Sequence, residues 1–326
     1  MTQPPPCLTV RPVTLDDAET IAALIADVDL VDTGVADYGI DELREGLSNP
    51  AVDLPGGSWL GFAGDRLVVF AVIWEKTGDL VEVDHYVRDG FLDEGEHVLA
   101  LALGRVAELA RDQGLPSLVA SLGLTPKSAL AQGSLQATGW QSVRRHNVMS
   151  KPVSAATDPA PVIPAGVRVR NPEGEADLRI VHAIREAAFA EHYDSRPQTF
   201  EEWTAAGRDR HEKSLSWIAS VLRDDGSAED VGVLLSRYRD TTGWVRVLGV
   251  LAEARGRGIG TLLLRLAFHG FAAAGQDTVG LGVDTENVTG ALAVYERAGM
   301  TRLYAVDTWK ITVSAATSAE LASADQ

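Results

Sequence analysis

In the second half of the chain, apolar positions alternate between a two-residue and a helical period in a fixed order. Val167–Arg170 reads as a short strand, and Glu175–Phe189 as an amphipathic helix with Ile180, Val181, Ile184 and Ala188 on one face. Thr199 and Glu202 have the spacing of a capping box, which starts a helix there. Ser216–Leu222 and Val231–Tyr238 flank Arg223-Asp224-Asp225-Gly226, a hairpin signal. A strand Trp244–Leu251, a Gly/Arg cluster, a leucine-rich helix to about Ala274, a strand Thr278–Val283, a helix to Ala298 and a strand Leu303–Val313 follow. The order predicts an α/β chain with a mixed, mostly antiparallel sheet, a central parallel pair and flanking helices.

The same order is written twice. Arg11 and Arg170, Trp59 and Trp217, and Gly139 and Gly299 sit in similar local sequence at a nearly constant step of about 160 residues. Duplication divides the chain into a first domain at 1–150, a Pro-rich linker at 151–166, a second domain at 167–313 and a tail at 314–326, expected to be disordered.

The candidate chemistry lies between the strand ending Leu248-Gly249-Val250 and the helix opening near Thr261. Arg255, Gly256, Arg257, Gly258, Ile259 and Gly260 combine cations with residues that let a ligand approach the main chain. The first turn of the next helix adds unpaired N–H groups and a positive dipole end, a setting for a pyrophosphate. A Gly-rich turn with no ligand is the competing reading. A P-loop is excluded because no Lys-Ser/Thr pair follows the last Gly, and the Rossmann spacing is excluded because the glycines fall at 256, 258 and 260.

Arg255-x-x-Gly258-x-Gly260 after a strand resembles the acetyl-CoA loop of the GCN5-related N-acetyltransferases, Gln/Arg-x-x-Gly-x-Gly/Ala. Asn287, followed by a helix carrying Tyr295 and then Gly299-Met300, resembles the second signature of that superfamily. The two-copy plan is similar to its tandem members, the mycothiol synthases among them. The resemblance implies acetyl-CoA as cosubstrate, pantetheine paired near Leu248 and Val250, and pyrophosphate on Arg255–Thr261. Asn287 would contact the pantetheine or cap the helix, and Tyr295 would be the general acid. Gly249 is either a bulge that supplies an N–H to the thioester carbonyl or a packing glycine.

The implied reaction is direct attack of a small-molecule primary amine on the thioester, in the second domain. The base is open: Asp284, Glu286, Glu191 and His192 are candidates, and Glu253 reads as solvated. Tandem synthases begin the strand with Gly-Glu where this chain has Gly243-Trp244. A mycothiol synthase-type enzyme and a non-catalytic acyl-CoA-binding module are the alternatives.

In the first copy, sliding by about 160 residues sets Glu94-Gly95-Glu96-His97-Val98-Leu99 against the Gly/Arg loop. Two Glu there would repel a pyrophosphate, and that copy reads as structural or substrate-shaping. A net charge of −17 disfavours a nucleic-acid partner. The single Cys7 and scattered His predict no metal site. Neither an apolar span nor a signal-peptide pattern is seen, so no membrane association and a cytoplasmic location are expected, as monomer or homodimer.

Overall fold

The computed structural model describes residues 8–36, 38–50, 52–133, 135–193, 195–205, 207, 211–239, 242–286 and 290–316. They form two compact units, one taking the chain up to His146 together with the stretch from Tyr304, the other Asn147–Leu303.

The first unit contains β1 (Leu8–Arg11), α1 (Ala18–Asp32), α2 (Ile40–Leu47), α3 (Leu54–Gly57), β2 (Ser58–Ala63), β3 (Arg66–Thr77), β4 (Leu80–Val87), α4 (Leu92–Asp112), β5 (Ser117–Leu124) and α5 (Ala129–Gln132). Strands β1 to β4 are successively antiparallel, and β4 runs parallel to β5. The unbroken apolar run in β3 is explained by burial on both faces. Val69 and Ala71 pack with Val98, Ala102 and Val106 of α4, whereas Phe70 and Val72 pack with Ile21, Leu24 and Ile25 of α1.

β6 (Gln141–Pro152) leads into the second unit, which holds β7 (Val167–Arg170), α6 (Gly174–Phe189), α7 (Phe200–Ala205), β8 (Trp217–Leu222), β9 (Ala228–Arg239), β10 (Thr242–Val250), α8 (Ile259–Ala273), β11 (Thr278–Asp284) and α9 (Ala291–Arg297). Its strands follow the order β7-β8-β9-β10-β11, with β6 beside β11. The capping box forms as the spacing predicts, with Glu202 N–H donating to Thr199 Oγ1 at 3.1 Å and Thr199 N–H to Glu202 Oε2 at 2.8 Å. The hairpin turn closes through Arg223 N–H to Ser227 O at 2.9 Å, with Gly226 at a φ of 81°.

The units do not divide where the duplication draws the line. The last strand, β12 (Thr301–Ser314), pairs antiparallel with β5 of the first unit from Asp307–Leu124 to Ser314–Ser117. Trp309 and Val313 join the first unit's core, while Met149 and Val153 join the second's. Residues 304–313 therefore stand with the first copy's elements, because their apolar side chains complete its core.

The segment expected as a linker is anchored over its first part. Val153 N–H donates to Asp277 O at 2.9 Å, Lys151 pairs with the buried Asp158 at 2.6 Å, and His269 Nδ1 meets Asp158 O at 3.0 Å. Beyond it the chain lies open, with Val162 90% exposed. Of the tail, Ser314–Ala316 are described and 317–326 lie outside the described residues. Among the described residues no helix is long and apolar enough to cross a membrane.

Two expected outcomes test this packing. Trp309→Ala should cost about 3–5 kcal/mol in denaturant unfolding, with amide protection lost first in β5 and its neighbours. Protection lost instead in β9–β11 would contradict the placement of β12. His85 on β4 is buried, a ring nitrogen lying 2.9 Å from Gly95 O, and burial pushes the imidazole down to about 4. The unfolded chain then takes up a proton near pH 6.5 that the folded chain refuses, so stability is full above that pH and falls toward pH 4. The loss is up to about 3 kcal/mol. His85→Gln should remove it, as read from unfolding curves of parent and variant at matched pH.

Candidate active site

The second unit's sheet parts along its parallel pair. β10 and β11 are in register from Thr242–Thr278 to Val245–Leu281 and no further, although β10 runs on to Val250 and β11 to Asp284. On its other edge β10 stays paired with β9 as far as Val250–Gly232. Beyond Val245, among the described residues, no strand pairs with β10 on the β11 side, and main-chain groups left on such an edge need a partner.

Of the two readings of Gly249, the bulge falls elsewhere. The register of β10 on β9 shifts between Val245 and Val247, which places the extra residue at Arg246. Gly249 pairs normally with Val233, and a Cβ there would lie 3.1 Å from Ala188 Cβ and 3.3 Å from Phe189 Cε2. It is the packing glycine of the two readings: it lets the end of α6 close on the sheet. Gly243 has a similar duty, since a Cβ there would lie 2.4 Å from the Phe271 ring of α8.

At the mouth of the wedge, residues 251–258 connect β10 to α8. Gly256 and Gly258 take φ of 74° and 81°, a region L side chains rarely adopt, and a Cβ on either would meet nothing within 4 Å. The main chain is therefore turned by glycine and left uncovered. Gly258 precedes α8 without a side-chain cap, no acid stands in the first turn, and the first intrahelical bond runs from Leu262 N–H to Gly258 O at 2.9 Å. The N–H groups of Ile259, Gly260 and Thr261 consequently have no intrahelical acceptor.

The two arginines differ. Arg255 is a strut: its Nε donates to Val250 O at 3.1 Å and its Nη2 to Ala188 O at 3.2 Å, tying the loop to the end of β10 and to α6. Arg257 is exposed and makes no hydrogen bond or ion pair with the described residues. Both keep positive charge beside the helix N-terminus. The set fits a pyrophosphate: open N–H donors, a dipole end and two cations.

Tyr295 on α9 is 8% exposed and belongs to the same core as Val283, Ala254 and Ile259, with Leu248 and Val250 packed against it. Burial pushes its hydroxyl up to about 12, so it stays protonated at neutral pH. Among the candidate bases, Asp284 ends β11 and its Oδ1 accepts Glu286 N–H at 2.9 Å, while Glu286 is exposed. His192 is half-buried, its ring 4.5 Å from that of Phe189, and Glu191 and Glu253 are exposed. Trp244, where tandem synthases have Glu, lies under the Arg239 guanidinium at 4.0 Å. Asn287 lies outside the described residues.

The first unit is built differently at the corresponding place. Its strand-to-helix connection is 88–91 only, so Glu94–Leu99 do not face the Gly/Arg loop but lie inside α4. The uniform slide overshoots because the first copy's loop is four residues shorter. What stands at that helix N-terminus is acidic, Asp93 and Glu94, with Arg88 committed to Leu67 O at 2.9 Å and to Asp27.

Residues 178–300 match the model of the acetyltransferase (GNAT) family. The chain is 30% identical to a mycothiol acetyltransferase of Gordonia bronchialis over 85% of its own length and 88% of that relative. It is 35% identical to one of Streptomyces griseus, but there the matched stretch covers 43% of the chain and about half of the relative, 45%. Among solved structures it is similar to a GCN5-related N-acetyltransferase from Sphaerobacter thermophilus, with a TM-score of 0.79 and 26% identity over 96% of this chain and 98% of that one. A tandem GNAT protein from the clavulanic acid biosynthesis pathway shares the fold, with a TM-score of 0.64 and 17% identity over 94% of this chain and 99% of that one.

Proposed function

The chain belongs to the GNAT acetyltransferase family, as an acyltransferase of tandem architecture, and we propose that it transfers an acetyl group from acetyl-CoA to the primary amine of a small molecule, in its second unit. The observation that carries this reading is the coincidence, in one unit, of an unfilled strand wedge with an acid-free, glycine-turned helix N-terminus.

The β10 edge near Leu248 and Val250 offers amide groups to an extended pantetheine chain, and the N–H groups of Ile259 to Thr261 with Arg257 hold the pyrophosphate. Arg255 keeps that loop at the strand end. Acetyl-CoA, when bound, supplies the activated thioester. Tyr295 keeps a proton on its hydroxyl for the departing sulfur, and the core around it limits water. The amine must lose a proton as it attacks; Asp284, Glu286, His192 or a water they hold takes it. With Trp244 at the strand start, no carboxylate there serves that role.

A mycothiol-type acceptor is the second reading, favoured by the near full-length alignment with the Gordonia bronchialis enzyme. An acetylation assay across a panel of primary amines, with desacetylmycothiol included, decides between them. Turnover of the panel members over desacetylmycothiol supports a different small amine; preference for desacetylmycothiol supports the second reading. No turnover of any amine despite CoA binding would sink both.

A further inference from the structure

The first unit keeps a parted strand pair of its own. β4 pairs with β5 from Leu80–Val119 to Val83–Leu122, and Asp84 to Val87 have no strand on that edge. Along β4 the side chains alternate, with Val81, Val83, His85 and Val87 buried toward α4 and Glu82, Asp84 and Tyr86 on the opposite face. Val72 of β3 stands opposite Asp84, and Phe70 opposite Tyr86, their rings stacked at 6.2 Å and 11°. A register shift in β3 between Ile73 and Lys76 accommodates Trp74, whose indole N–H donates to the Asp84 carboxylate. α2 packs on that indole so closely that a Cβ at Gly46 would lie 2.9 Å from its ring.

Asp84 is poorly compensated. Loss of solvent, then repulsion from Glu82 on its own strand and Glu42 on α2, push its carboxyl up to about 6, against the Trp74 hydrogen bond. The Tyr86 hydroxyl is pushed well above its ordinary value by burial and by Asp84, Asp29, Tyr38 and Tyr304. Among the described residues no cation acts on Asp84. A half-buried carboxylate with one donor and, among the described residues, no countercharge is costly, and its complement is a cation bearing N–H groups. One carboxylate among aromatic rings lacks the six or more oxygens a calcium ion takes, but suits an alkylammonium, which gains from both the charge and the ring faces.

We propose that the first unit binds a small organic ammonium ion, seated on Asp84 beside Trp74 and Tyr86 at the open edge of β4. Ammonium N–H groups donate to the carboxylate and to carbonyls of that edge, and the alkyl part lies on the rings. The site does not depend on acetyl transfer in the second unit.

The test uses the full chain labelled with 15N-tryptophan, which carries seven indoles. The Trp74 signal is assigned by its loss in Trp74→Phe. Titration with n-butylammonium chloride should shift that signal saturably, whereas potassium chloride at equal ionic strength should not. Asp84→Asn, which keeps an acceptor for the indole, should weaken binding about tenfold or more. Lowering the pH from 7.5 to 5 should weaken binding to the parent protein about tenfold, because a proton then competes for Asp84. A Trp74 signal unmoved by butylammonium, or moved equally by potassium chloride, would overturn the proposal. So would unchanged affinity in Asp84→Asn or at pH 5, and the pH series keeps the test decisive if that variant does not fold.

Discussion

Tyr295→Phe is expected to lower kcat by about a hundredfold or more while leaving the affinity for CoA unchanged. Burial holds the Tyr295 hydroxyl at about 12, so the proton is present throughout the neutral range. Its removal takes away a donor needed only as the carbon–sulfur bond breaks, an effect confined to the transition state. The ring that fills the core beside Val283 and Ile259 is retained, so stability should hardly change. Steady-state rates with the best amine of the panel, together with calorimetric titration of CoA, check both halves. A variant with undiminished kcat would remove Tyr295 from the chemistry.

The second large effect is expected from Gly260→Glu: loss of CoA affinity by about a hundredfold or more, without loss of thermal stability. Gly260 has no positive φ, and a Cβ there would lie 3.7 Å from Val250 Cγ2, an ordinary contact. A carboxylate in the first turn of α8 is favoured by the dipole by about 0.3–1 kcal/mol, as Asp93 and Glu94 are on α4. It also occupies, with its own negative charge, the N–H groups meant for the pyrophosphate. An equal or higher melting temperature with CoA binding gone is therefore the expected pair of results. Retained binding would move the pyrophosphate away from this helix.

Much of this was legible in the chain because it is local chemistry. The box at Thr199 and Glu202, the turn at Arg223–Gly226 and the glycine-turned loop before α8 are each set by a few neighbouring residues. What was not legible depends on distant partners. β12 is apolar-patterned and β6 largely polar, and nothing in the residues of either says which unit's edge it joins; Met149 and Trp309 show it only in three dimensions. Val245-Arg246-Val247 reads as regular alternation, so nothing in the sequence marks Arg246 as the bulge, whereas Gly249, with its conformational freedom, is open to either reading. The first copy's shorter loop leaves no mark in its own residues, so Glu94–Leu99, which a uniform step of about 160 sets against the Gly/Arg loop, lie inside α4. That Arg255 also ties the loop through bonds to two carbonyls, one of them 67 residues away, leaves no mark in the sequence.

The acid character of the first unit survives that correction, since Asp93 and Glu94 stand at the N-terminus of α4. We propose that the two copies divide their duties, with the CoA site in the second unit alone. Native mass spectrometry of the intact chain titrated with CoA tests it most directly. One CoA per chain, lost in Arg257→Glu, is expected; two CoA per chain, or one that persists in Arg257→Glu, would contradict that division.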